Sequence, residues 1–221
     1  MINLIYIMVA VPASLIALVI HEVAHGYAAY KLGDPTAHIM GRLSLNPLRH
    51  LDPVGAVCMI LFRVGWARPV PIDARYFKNP KRDMALTAIA GPLSNIVLAF
   101  FAVPFYLLIE KMYFAVALEG GSQIFLQILY YLYNFFLILH SVNIGLGLFN
   151  LLPIPPLDGS RILLTFLPTR YYFGVMRYEK YISLALILLL FSGFRFGILD
   201  TVFTFLSGAL EWLWRLIPIF S

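Results

Sequence analysis

The chain has 221 residues, 61% of them hydrophobic and only 12% charged, with a mean hydropathy of +0.85. A soluble domain is roughly half apolar and about a quarter charged, so an ordinary cytosolic enzyme, a disordered tail and a secreted disulfide scaffold are excluded, and the protein belongs in a membrane. The net charge of +5 and the pI near 9.3 therefore report orientation in the bilayer, not a nucleic-acid partner.

From Leu4 to Tyr30 the chain is apolar for long enough to span a hydrocarbon core of ~30 Å, and its only ionisable groups are His21, Glu22 and His25. A secretory signal would carry a basic n-region; MINLIYIM has none, so a retained helix is expected. Lys31 to Arg82 holds nine of the sixteen Lys and Arg residues and six prolines. Its one apolar stretch, Val54 to Phe62, is too short to span as a helix. With its β-branched residues, Gly55, Gly65 and an Arg-Pro-Val-Pro terminus, the Val54 to Ile72 segment reads as a strand or re-entrant hairpin.

Ala85 to Ile109 and Ile124 to Leu152 are two further spans, the second interrupted by His140, Asn143 and Asn150. Tyr181 to Phe194 is short for a crossing, whereas Ile198 to Ile219 is long enough and carries Asp200, Glu211 and the interfacial pair Trp212 and Trp214. The expected architecture is an all-α polytopic membrane protein of about five transmembrane helices, with the re-entrant segment between the first two strong spans. It forms a single domain, residues 1–221, with a core over 1–167 and C-terminal hydrophobic helices over 168–221. Lys/Arg asymmetry puts the basic segments 31–82 and 161–180 in the cytoplasm and the N-terminus outside.

His21-Glu22-Val23-Ala24-His25 is an HExxH motif inside an apolar helix. Residues four apart share a helical face, so two imidazoles can grip one zinc while Glu22 reaches water there as a general base. The bland reading is a pair of hydrogen-bonded interior histidines, but three ionisable side chains in a span are costly and mark function. Cys58 is the only cysteine, so nitrogen and oxygen must supply any metal ligands. A catalytic zinc takes three protein ligands, which leaves one donor to find. Asp158, at the end of NLLPIPPLDG (residues 150–159), lies where three prolines interrupt a span, and non-helical backbone at that depth must line protein or a wet cavity. Asp158 could also be a turn residue or helix cap, since Asp-Gly is a common turn pair. His140 is the competing ligand.

HEVAH in the first span, Gly91-Pro92-Leu93-Ser94-Asn95 in the second and NLLPIPPLDG in the third resemble, in order and spacing, the three signatures of the site-2 protease family of intramembrane zinc metalloproteases. The resemblance runs from about Leu4 to Leu167. It implies a transmembrane helical core, one zinc per chain held by His21, His25 and Asp158, and Glu22 as the catalytic base. It also brings Asn150 near the metal, where its amide could hold substrate or a developing oxyanion; Asn95 is the second polar candidate for that role, with a helix-to-helix hydrogen bond as the alternative for both. The chain resembles a compact member, with no room for a PDZ module between the spans or a nucleotide-binding regulatory domain after them.

The expected reaction is cleavage of peptide bonds within or near transmembrane segments, by Glu22-assisted attack of water on zinc. The expected partners are the bilayer and a membrane-protein substrate with a helix-destabilised segment, because a helical peptide bond must unwind before attack. His25 stands six residues before Lys31, on the order of 10 Å along a helix, which puts the site in the cytoplasmic half. The Val54 to Ile72 segment could hold substrate by β-augmentation or merely fill space. A transporter or metal-handling protein would also use buried His, Glu and Asp, but leaves the base adjacent to a ligand, and the LDG motif, unexplained.

Overall fold

The computed structural model describes residues 4–62, 66–166, 174, 177–192 and 197–220. Among these the chain is helical, with one isolated antiparallel bridge between Leu51 and Ala67 and no strand. Helix α1 (Leu4–Lys31) is apolar on all sides apart from the HExxH side chains. It ends in a Schellman turn at Gly33 (φ 111°), where the Asp34 N–H donates to Ala29 O at 2.9 Å and the Gly33 N–H to Tyr30 O at 3.2 Å. The turn buries Asp34, whose carboxylate accepts from the N–H of Thr36, at the start of the single-turn helix α2 (Thr36–Ile39), and from the distant N–H of Asp73 at 2.7 Å.

Helix α3 (Pro53–Phe62) occupies the first half of the segment expected to be a strand or re-entrant hairpin. The difference has a physical reason: a continuous apolar run has no period with which to tell strand from helix. Asp52 tips the balance by accepting from the Gly55 N–H at 2.8 Å, as an N-terminal cap does. Residues 63–65 of that segment lie outside the described residues.

Helix α4 (Pro80–Leu118) has 39 residues, roughly 58 Å at 1.5 Å per residue, and so outruns the hydrocarbon core. It turns at Gly120 into α5 (Gln123–Asn150), against which it makes the most extensive helix contact among the described residues. Small residues allow the close approach: Ala13 on α1, Ala99 and Ala102 on α4 and Gly147 on α5 lie at the seams. The main apolar cluster joins Ala99, Val103, Tyr106 and Leu107 to Ile144 and to Leu210 of the C-terminal helix.

After the proline-rich turn come α6 (Asp158–Thr165), α7 (Glu179–Phe191) and α8 (Gly197–Arg215). Helix α8 docks on the α4–α5 pair, with the Trp214 indole donating to Phe100 O at 2.9 Å. Three described helices, α1, α4 and α5, are long and apolar enough to cross a membrane. The expected count of about five is therefore not reached among the described residues: α7 has 13 residues, and α8 carries Asp200, Glu211 and Arg215 along one side, opposite its apolar face.

Candidate metal centre and active site

Three of the residues singled out in the sequence meet where α1, α4 and α6 converge. The Nε2 atoms of His21 and His25 lie 3.0 Å apart, and each is 3.2 Å from Asp158 Oδ2. One ligand atom from each of the three falls within 4.8 Å of the others. Helix α1 supplies the histidines at i and i+4, on one face. Asp158 opens α6, whose first turn lies against the end of α5 because residue 159 is glycine: a Cβ there would collide with the carbonyls of Leu151 and Leu152. Gly91 does the same for α4, since a Cβ on it would strike both imidazoles.

The hydrogen bonds behind the imidazoles fix their chemistry. His25 Nδ1 sits 2.7 Å from the carbonyl of Thr87, and a carbonyl only accepts, so Nδ1 carries the proton. His21 Nδ1 sits 2.6 Å from Asn95 Oδ1. The Asn95 amide is oriented in turn, because its NH2 donates to Ala17 O at 3.1 Å and to Asn143 Oδ1 at 2.7 Å, while Asn143 donates to Leu139 O at 2.7 Å. With Nδ1 as the proton-bearing nitrogen on each ring, the two Nε2 atoms are the ones turned towards each other and towards the carboxylate. Asp158 Oδ2 is buried without a hydrogen-bond donor. Two imidazole nitrogens and a carboxylate oxygen brought this close in a membrane protein could hold a metal ion between them. Two imidazole nitrogens and one carboxylate oxygen form a donor set found at catalytic zinc sites, with each histidine braced from behind.

Beside these donors is a cavity of about 210 Å³, walled by Glu22, Asn150 and Arg161, by Met84 and Thr87 of α4, and by Pro69, Val70 and Ile72. Glu22 reaches it from α1, with Oε2 accepting from the Val70 N–H at 2.8 Å. Asn150 also lines it, its NH2 donating to Leu146 O at 3.0 Å in its own helix. Asn95 does not: it is 0% exposed and its amide is spent on α1 and α5, so its geometry serves His21 and not a substrate or oxyanion. His140, the competing ligand, is elsewhere, between Ala99 O at 3.0 Å and the Ser207 hydroxyl at 2.8 Å.

The wall at residues 67–73 is fastened from several sides. The Arg68 N–H donates to His50 O at 2.7 Å, and Arg42 Nη2 donates to the carbonyls of Arg68 and Pro69 at 2.6 and 3.2 Å. Burial, aided by the like charge of Arg68, holds the Arg42 pKa below the usual guanidinium range, with Glu22 opposing the shift. Prolines 69 and 71 have no N–H, and those of Arg68 and Val70 are spent within the protein. The bracing by Thr87 and Asn143, and the hold on Glu22, had no motif to announce them; the Pro-Val-Pro spacing, which leaves a single N–H between two prolines, was the one visible sign.

Residues 9–193 match Peptidase family M50. This chain belongs to that family. The match covers the HExxH helix, the Gly91–Asn95 motif and Asp158, and it is the site-2 protease family that the three motifs resemble. Among its relatives, the chain is 41% identical over 167 residues to "Putative zinc metalloprotease YwhC" of Bacillus subtilis, covering 76% of this chain and 73% of that protein. It is 30% identical over 182 residues to "Zinc metalloprotease MJ0392" of Methanocaldococcus jannaschii, covering 80% of this chain but 40% of that longer protein. No solved structure matches the chain.

Proposed function

We propose that this M50 peptidase is an intramembrane zinc metalloendopeptidase that cuts within or near transmembrane segments of other membrane proteins. The observation that carries the reading is the convergence of the His21 and His25 lone pairs with the donor-less Asp158 Oδ2 beside a cavity that also receives Glu22. The zinc named for both relatives supports the choice of metal, with one ion per chain held by His21, His25 and Asp158. Bound there, zinc would polarise a scissile carbonyl and make water acidic enough to attack near neutral pH.

The remaining work falls to side chains. Glu22, next to the ligand His21 and steadied by the Val70 amide, takes the proton of the attacking water and returns it to the leaving amine. Asn150, on the cavity wall, is positioned to donate to a substrate carbonyl. Substrates are membrane proteins whose spans unwind easily, because a helical peptide bond is closed by its own hydrogen bonds. Residues 1–221 act as one domain, with the chemistry in 1–167 and residues 168–221 flanking it as hydrophobic helices. The basic loops face the cytoplasm and the N-terminus lies outside, which brings the site to the cytoplasmic half of the bilayer.

Purified protein reconstituted with a helix-destabilised transmembrane test substrate should cleave it, stop when a zinc chelator is added, and resume on zinc readdition. Cleavage indifferent to the chelator would end the metalloprotease reading.

A further inference from the structure

The Pro69–Val70 peptide unit sits between two opposite charges. Its carbonyl accepts from Arg42 Nη2 at 3.2 Å, and its N–H donates to Glu22 Oε2 at 2.8 Å. In a trans peptide these groups point opposite ways, so the unit's dipole is aligned with its negative end on the guanidinium and its positive end on the carboxylate. Hydrogen bonds in series polarise one another, and those with ionised partners are the strong ones. Among the described residues no carboxylate lies in ion-pair contact with Arg42, whose Nε is buried without a partner. A half-buried guanidinium whose Nε has no partner and whose Nη2 is turned onto two backbone carbonyls of the cavity wall needs a reason.

We infer that Arg42 is a positioning residue for the base Glu22, acting through the Pro69–Val70 peptide. The inference rests on the proposed role of Glu22 as base. Pro69 and Pro71 make the relay unambiguous, because Val70 holds the one N–H between them. The anchors at His50 O and Asp34, which take the N–H groups of Arg68 and Asp73, hold the ends of the stretch. The relay fixes Oε2 on the wall of the cavity that Glu22 lines. A base free to swing would still bind substrate and metal but would meet the attacking water in the wrong geometry, and small misplacements are costly to turnover.

The test uses the full chain in liposomes with the same transmembrane substrate. Four proteins are compared: Arg42→Ala; Val70 replaced by its α-hydroxy acid, which turns the 69–70 amide into an ester, removes the N–H to Glu22 and weakens the Pro69 carbonyl that Arg42 holds; the combination; and Glu22→Gln. Arg42→Ala and the ester should each lower kcat by about tenfold to a hundredfold, part of the 10²–10⁴ that a placed general base supplies, with KM within about twofold and zinc content intact. The combination should be no slower than the worse single change, because both cut one relay. An ester protein with wild-type kcat, losses that multiply in the combination, or a change confined to KM would each overturn the inference. The ester alone decides if Arg42→Ala fails to fold. Normal turnover by Glu22→Gln would instead sink the base reading itself, a result distinct from all of these.

Discussion

In the proposed reading Glu22 and the three donors His21, His25 and Asp158 divide the chemistry in a way that single substitutions can separate. Glu22→Gln removes a proton acceptor without touching a ligand, so zinc measured by metal analysis should remain while turnover falls by about 10²–10⁴. Asp158→Asn removes one of three donors and should lose both zinc and activity, whereas His140→Ala, which breaks only contacts to Ala99 and Ser207, should keep both. Asn95→Ala leaves His21 Nδ1 without the acceptor at 2.6 Å and should weaken zinc affinity by roughly 10–100-fold, the usual size for a ligand's supporting partner, as read by competition with a chromogenic chelator. At this scale the sequence was informative where chemistry demands a residue type at a fixed spacing, as in His21, Glu22 and His25. Asn95 was visible as a polar group in a span, but its service to His21 depends on how α4 crosses α1, which local sequence does not encode. Arg42 stands on an irregular basic segment, and its link to Glu22 passes through a backbone amide that no side-chain motif records.

The helices α1, α4 and α5 were legible because their apolar stretches exceed the length of a bilayer crossing, and physics leaves a spanning segment little else to be. The α3 segment misled for the opposite reason: Val54–Phe62 is apolar on every face, so only its cap at Asp52 and its local packing distinguish helix from strand. Past α6 the signals weaken, since α7 is too short to span and α8 carries charge along one side. Orientation belongs to this scale. With Cys58 first replaced by serine, a single cysteine at Gly120, in the turn between α4 and α5, should be labelled from outside intact cells, and one at Lys78, before α4, should not. Labelling at Lys78 alone would reverse the orientation and move the site to the other leaflet.

For the whole molecule, what matters to the proposed reading is that a polar cavity lies inside a hydrophobic bundle. The α1–α4–α5 seams close on alanine and glycine, the proline-rich turn brings Asp158 back to the HExxH face, and the fastened 67–73 wall encloses a polar cavity of about 210 Å³ beside the metal donors. Membership of Peptidase family M50 makes the protein a peptidase; the location of its site makes the claim that it works inside the membrane. That claim is tested most directly by mass-spectrometric mapping of the bond cut in a reconstituted transmembrane substrate. The cut should fall within the hydrophobic segment, towards its cytoplasmic end, and vanish with Glu22→Gln. A cut confined to the substrate's soluble loops, with the membrane segment recovered whole, would contradict the account.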